Sequence, residues 1–209
     1  GEILLTKSGA NGIYALSTGS VNITNNKSIS LSDGQNANGI WAQSSSATIT
    51  NEKDAIITVG ASGETGGYAI RLNSGSVNNY GTVTLNSQGT AIFGSTGVTL
   101  QNGQAGTEQQ QGKIETFAAN SYAVDLTDSS VVNYGQIITN GNGSRAINLK
   151  GSGTNKVENK SASSILVRGS TADTARSYAI YGESAIDVTN DGTIAAEEGS
   201  AAYSNGAKL

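Results

Sequence analysis

The chain has 209 residues, a formal charge of −4 and only 13% charged residues, which argues against a general nucleic-acid binder and against a highly charged disordered tail. It contains no Cys, His, Pro or Met. That excludes disulfides, a thiolate nucleophile, a Ser-His-Asp relay and the commonest zinc ligands, and neither a metal nor a cofactor is expected.

The first strand-like stretch is "GEILLT" at 1–6. An aromatic-Ala-Ile-x-Leu pattern follows, anchored at Ala15 ("YALST") and recurring at Ala42, Ala69, Ala91, Ala123, Ala146 and Ala179. The intervals run from 22 to 33 residues, so the shortest is the bare unit and the longer ones carry insertions. Each unit continues with a Val or Ile two residues before an Asn: Asn25, Asn51, Asn79, Asn133, Asn159 and Asn190. A third element opens on Gly, as in "GTVTL" at 81, "GKIET" at 112, "GQIIT" at 135 and "GTIAA" at 192. "GEILLT" fits this third element.

Within each element one parity is apolar and the other polar, the signature of a strand with one buried face. Three strands of that length cannot bury themselves alone, but successive units stacked in register can. The expected fold is therefore all-β: a right-handed three-stranded parallel β-helix, a β-solenoid of about 7–8 rungs and on the order of 35 Å long. Residues 1–209 form a single β-helix segment with both ends inside a repeat, expected to be cut from a longer chain. The recurrent Asn falls on the inward parity at a corner, where stacked amides hydrogen-bond along the axis as a structural ladder.

Catalytic signals are weak. "GNGSRA" at 141–146 lacks the following helix of a dinucleotide site, and the acids are spread thinly. Three features point instead to recognition. The residues before the anchor Ala are Tyr14, Trp41, Tyr68, Thr90, Tyr122, Arg145 and Tyr178. They share parity with the buried Ile and Leu, which predicts a structural aromatic stack; a stripe for sugar or protein contacts is the functional alternative. The next outward column runs Ser17, Ser44, Arg71, Phe93, Asp125, Asn148 and Tyr181, with Phe93 and Tyr181 as candidate exposed contacts. Arg145, Lys150, Lys156, Lys160, Arg168 and Arg176 cluster in sequence as a candidate basic face, followed by the acidic stretch 183–198. Insertions at 60–66, 103–111, 150–156 and 169–176 are further candidate recognition loops.

With its "Y-A-I-x-L … V-x-N-x-G-x-I" rungs and its lack of Cys, the whole chain resembles the passenger domains of Gram-negative autotransporters, which are exported by type V secretion. The resemblance implies a protein that is secreted or held at the bacterial cell surface after crossing the periplasm. It implies a membrane connection only through a translocator barrel absent from this chain. Members of that family are adhesins, self-associating factors, proteases, toxins or receptor ligands. The protease members use a Ser-His-Asp site, which a chain without His does not carry. The leading expectation is a non-enzymatic, virulence-associated adhesin binding a host cell-surface protein or glycan or another bacterial surface, with self-association among its partners. Two alternatives are a released passenger that activates a host receptor, and a polysaccharide-degrading β-helix.

Overall fold

The computed structural model describes residues 1–106, 111–169 and 176–197, together with the backbone of 200–204. All regular structure among them is strand. The first turn is β1 (Ile3–Leu5), β2 (Asn11–Leu16) and β3 (Ser20–Asn25), and the second is β4 (Ser28–Leu31), β5 (Asn38–Gln43) and β6 (Ser46–Asn51). Then come β7 (Ile56–Val59), β8 (Thr65–Leu72) and β9 (Gly75–Asn79), followed by β10 (Thr82–Leu85), β11 (Gln88–Gly94) and β12 (Val98–Asn102). The chain continues through β13 (Lys113–Thr116), β14 (Tyr122–Thr127), β15 (Ser130–Asn133), β16 (Gln136–Thr139), β17 (Arg145–Lys150) and β18 (Asn155–Asn159). It ends with β19 (Ser164–Val167), β20 (Tyr178–Gly182), β21 (Ile186–Asn190), β22 (Thr193–Ala196) and β23 (Ser200–Ser204).

Every third strand pairs in parallel, giving an eight-stranded sheet A that starts at β1, an eight-stranded sheet B that starts at β2 and a seven-stranded sheet C that starts at β3. This is a three-stranded parallel β-helix. "GEILLT" lies in sheet A beside the other Gly-led elements.

Stacking in register turns each inward position into a column. In sheet A it reads Ile3, Ile29, Ile57, Val83, Ile114, Ile137, Ile165 and Ile194. In sheet B it reads Ile13, Ile40, Ile70, Ile92, Val124, Ile147 and Ile180. β-Branched side chains suit this arrangement, because their stiff rotamers pack on the same residue one strand away. A neighbouring column in sheet A reads Leu85, Thr116, Thr139, Val167, and the two threonines are fully buried with hydroxyls that have no partner.

The corner between sheets C and A is closed by asparagine. Asn25 Nδ2 donates to Asn51 Oδ1 at 2.8 Å, and Asn51 donates to Asn79 at 2.9 Å. The column continues at 2.8 Å each through Asn79, Asn102, Asn133, Asn159 and Asn190. Each interior amide also donates to the carbonyl that opens sheet A one turn on: Asn79 to Lys113 O, Asn102 to Gln136 O and Asn133 to Ser164 O. One side chain thus satisfies the turn and fixes the next turn's height. Asn102 belongs to this column although the Val/Ile-x-Asn pattern omits it.

Serine closes part of the opposite corner, between sheets A and B. Ser121, Ser144 and Ser177 are fully buried, and their hydroxyls accept from the backbone N–H of Gly89, Ser121 and Gly143 respectively.

Two predictions follow from these columns. Asn79→Leu should lower the unfolding free energy by about 1–3 kcal/mol in denaturant titration, because it strands amide and carbonyl groups on both neighbouring turns. Asn190→Leu, at an exposed position, should cost much less. Conversely, the double change Thr116→Val/Thr139→Val should raise stability by about 1 kcal/mol or more, since it replaces two unpartnered buried hydroxyls with methyls.

Candidate binding face

Register in sheet B corrects the alignment read from the anchor Ala. Ile40 pairs with Ile70 and Trp41 with Arg71, so Ala42 lies opposite Leu72 and not Ala69. Gly39 takes the place beside Ala69, where a Cβ would meet the Ala69 carbonyl at 2.5 Å. The physical reason is burial: the large Ile side chains must share one inward column, and "GIYA" and "GIWA" put Ile before the aromatic where later turns put it after. The outward column is therefore Tyr14, Trp41, Arg71, Phe93, Asp125, Asn148 and Tyr181. Ser17 and Ser44 lie outside it.

The expected burial of the aromatics preceding Ala is corrected as well. Ala69 and Ile70 are both buried, as are Ala91 with Ile92 and Ala123 with Val124. Two successive inward residues break the alternation, so the residue before Ala turns to the outer face. Tyr68 and Tyr122 are half-buried there; Tyr178 is buried, but against Tyr181 on the same face.

Two columns thus combine into one stripe on the outside of sheet B, centred on two arginines. The Arg71 guanidinium lies 4.7 Å from the Trp41 ring, 5.1 Å from Tyr68 and 5.9 Å from Phe93. Tyr14 extends this cluster at 4.9 Å from Trp41, and Tyr68 meets Phe93 edge-on at 5.5 Å. The Arg145 guanidinium lies 3.5 Å from the Tyr181 ring, 5.5 Å from Tyr122 and 5.9 Å from Tyr178. Cation–π contacts and tilted ring pairs hold these side chains in place while leaving edges in water. Below Arg145, Asn148 accepts from its Nη1 at 2.6 Å and donates to Asp125 at 2.6 Å, and Lys150 pairs with Asp125 at 2.8 Å. Sequence order gives two separate columns, with Phe93 and Tyr181 as the exposed candidates and a contact stripe only as the alternative for Tyr14, Trp41, Tyr68 and Tyr122; the stacked register joins the two around Arg71 and Arg145.

The six basic residues do not gather on one face. Arg145 and Lys150 stand in sheet B, Lys156 in sheet C, Lys160 just after it and Arg168 just after a sheet A strand, while Arg176 is exposed ahead of β20. Residues 183–197 of the acidic stretch run through the next turn, where two of the acids come beside basic residues. Lys156 lies in register with Asp187, and Arg168 comes within 3.7 Å of Glu197. Glu158 is held at 2.5 Å by Lys156 and contacted by Lys160. The Lys156 hydrogen bond first, then that of Lys160, holds the Glu158 carboxyl down to about 2, and the bond to Glu158 raises the pKa of each lysine. Part of the charge imbalance along the chain is offset within the basic stretch by Glu158 and part across turns, as between Arg168 and Glu197.

The insertion at 60–66 is tied down: Glu64 Oε2 accepts from Gly34 N at 2.6 Å and from Ala61 N at 2.7 Å. In 150–156, Gly153 N donates to Asp128 Oδ1 at 2.6 Å. Residues 107–110 of the second insertion, 170–175 of the fourth and Glu198 of the acidic stretch lie outside the described residues. Among the described residues no three or more acidic side chains gather as a metal-binding group. Comparison with protein-family models, curated proteins and solved structures finds no match to this chain.

Because the Glu158 pKa lies below the ordinary 4.5, its stabilising effect is fully present above pH 4.5 and is lost as pH falls toward 2. Thermal melts between pH 5 and 2 should therefore show a steeper fall for the wild type than for Glu158→Gln. The difference should be small and should shrink in high salt, since both lysines are solvent-accessible.

Proposed function

We propose that this chain is a non-enzymatic recognition rod of the autotransporter-passenger kind, secreted or displayed at the bacterial surface. On this reading it binds host-cell or bacterial surface ligands as an adhesin through the outer face of sheet B. The observation that carries the reading is the aromatic–arginine stripe, which runs from Tyr14 in β2 to Tyr181 in β20. Half-exposed Trp, Tyr and Arg side chains already fixed by their neighbours are the residue types that dominate binding energy at interfaces, and they lose little entropy when a partner arrives. The inward columns and the asparagine ladder hold the fold, which leaves this face free for contact. The resemblance of the rung sequence to autotransporter passengers supports the export route.

Binding of labelled protein to host cells and to bacterial cells tests this reading. The combined change Trp41→Ala/Phe93→Ala should reduce cell binding at least tenfold while the far-UV spectrum is kept. A similarly folded variant that binds cells as well as the wild type would remove sheet B from the mechanism.

A further inference from the structure

Five Lys and Arg residues stand within strands: Arg71, Lys113, Arg145, Lys150 and Lys156. Four have polar partners. Lys113 pairs with Glu115 at 2.5 Å, Lys150 with Asp125 at 2.8 Å and Lys156 with Glu158 at 2.5 Å, while Arg145 donates to Asn148 at 2.6 Å. Among the described residues Arg71 has no acceptor; its neighbours are the rings of Trp41, Tyr68 and Phe93, supplied by three successive strands. A guanidinium against ring faces has its flat surface covered, but its N–H donors point outward in its own plane. Its half-buried position keeps that edge within reach of solvent. Beside it, the indole Nε1–H of Trp41 is shielded and also lacks an acceptor. Unpartnered shielded donors are uncommon in folded proteins, and here one adjoins an unpartnered arginine.

We propose that Arg71, framed by Trp41, Tyr68 and Phe93, binds the acidic group of a sugar, a carboxylate or sulfate ester on a glycan lying along sheet B. This rests on the sheet B binding reading and adds the chemistry of the ligand. A planar fork pairs with two oxygens of such a group, and the aromatic walls lower the competition from water. The sugar ring supplies an apolar C–H face for the neighbouring rings, which a flexible acidic side chain of a peptide does not. Tyr14 continues the apolar surface on one side of the site. Three strands further on, roughly 14 Å along the axis, Arg145 sits among Tyr122, Tyr178 and Tyr181 in a second ring cluster, its guanidinium already donating to Asn148. A polymer following the axis meets both.

Binding of the intact chain to four immobilised probes tests the proposal: an oligogalacturonate, a heparin-derived oligosaccharide, a neutral dextran oligomer and poly-glutamate. The wild type should bind one or both acidic oligosaccharides above the neutral one. Arg71→Gln should weaken that binding about tenfold or more, the loss of a charge-assisted contact. Arg71→Lys should weaken it as well, since it keeps the charge and loses the fork, whereas Lys156→Gln on sheet C should leave it unchanged. The carboxylate and sulfate probes distinguish the two acidic groups. Equal binding by wild type and Arg71→Gln with matching melting curves would overturn the proposal. So would poly-glutamate bound as tightly as the oligosaccharides, equal losses in the Arg71 and Lys156 variants, or no acidic oligosaccharide bound at all. If the proposal fails while cell binding still depends on Trp41 and Phe93, sheet B remains the binding face and only the ligand class falls. If cell binding is also independent of those rings, both readings fall.

Discussion

The asparagine column at the corner between sheets C and A is the constraint on which the rest of this rod depends. A parallel strand stack fixes the spacing along the axis, but it does not by itself decide where each turn bends. The buried amides do. Each one donates upward to the next amide and sideways to the carbonyl that starts the next sheet A strand, as with Asn102 toward Asn133 Oδ1 and Gln136 O. Insertions of different lengths therefore leave from and return to a corner of constant geometry. Asn102 shows this, because the 103–111 insertion follows it directly and Asn102 Nδ2 still reaches Gly112 O at 3.0 Å on the far side.

Once turn height is fixed, like stacks on like, and the inner and outer faces answer to different demands. Inside, a column must fill volume, and Ile or Val recurs along the central column of sheets A and B. Outside, stacking places side chains of successive turns in contact whatever their chemistry. On sheet C that places Asp187 beside Lys156, which already pairs with Glu158 on its own strand. On sheet B it brings arginines among rings.

The columns that bury surface were legible in the sequence because packing forces them to repeat. The three strands per turn, the Gly-led third element and six of the seven ladder positions could all be read from spacing. Asn102 escaped because Leu100 stands where the other turns have a β-branched residue; packing accepts either, but a pattern built on Val or Ile does not. The first two turns were misaligned for a related reason. Tyr14 and Trp41 look like the aromatics before Ala69 and Ala123, yet Ile13 and Ile40 set the register because they are the side chains that must be buried. The basic residues were legible only as a list. In a rod with three faces, residues a few positions apart lie on different sheets, and some charges meet their partner two positions away, as Lys156 meets Glu158, while others meet it a turn away, as Arg168 meets Glu197.

The same geometry explains why the outer face of sheet B can be specialised at little cost to the fold. Replacing an inward residue disturbs two neighbouring turns and the columns beside it, so those positions are held by packing. Replacing an outward residue on sheet B changes contacts with the strands on either side and leaves the ladder and the core columns intact. An arginine there takes its character from its strand neighbours. Arg145, next to the column that holds Asp125 and Asn148, is drawn into a polar network that also engages Lys150. Arg71, between Trp41 and Phe93, has aromatic neighbours above and below and keeps its donors. Both arginines lie between aromatic strand neighbours, and the Asn148 acceptor three positions along its own strand is what binds Arg145 into the scaffold, whereas Arg71 is left able to bind something else.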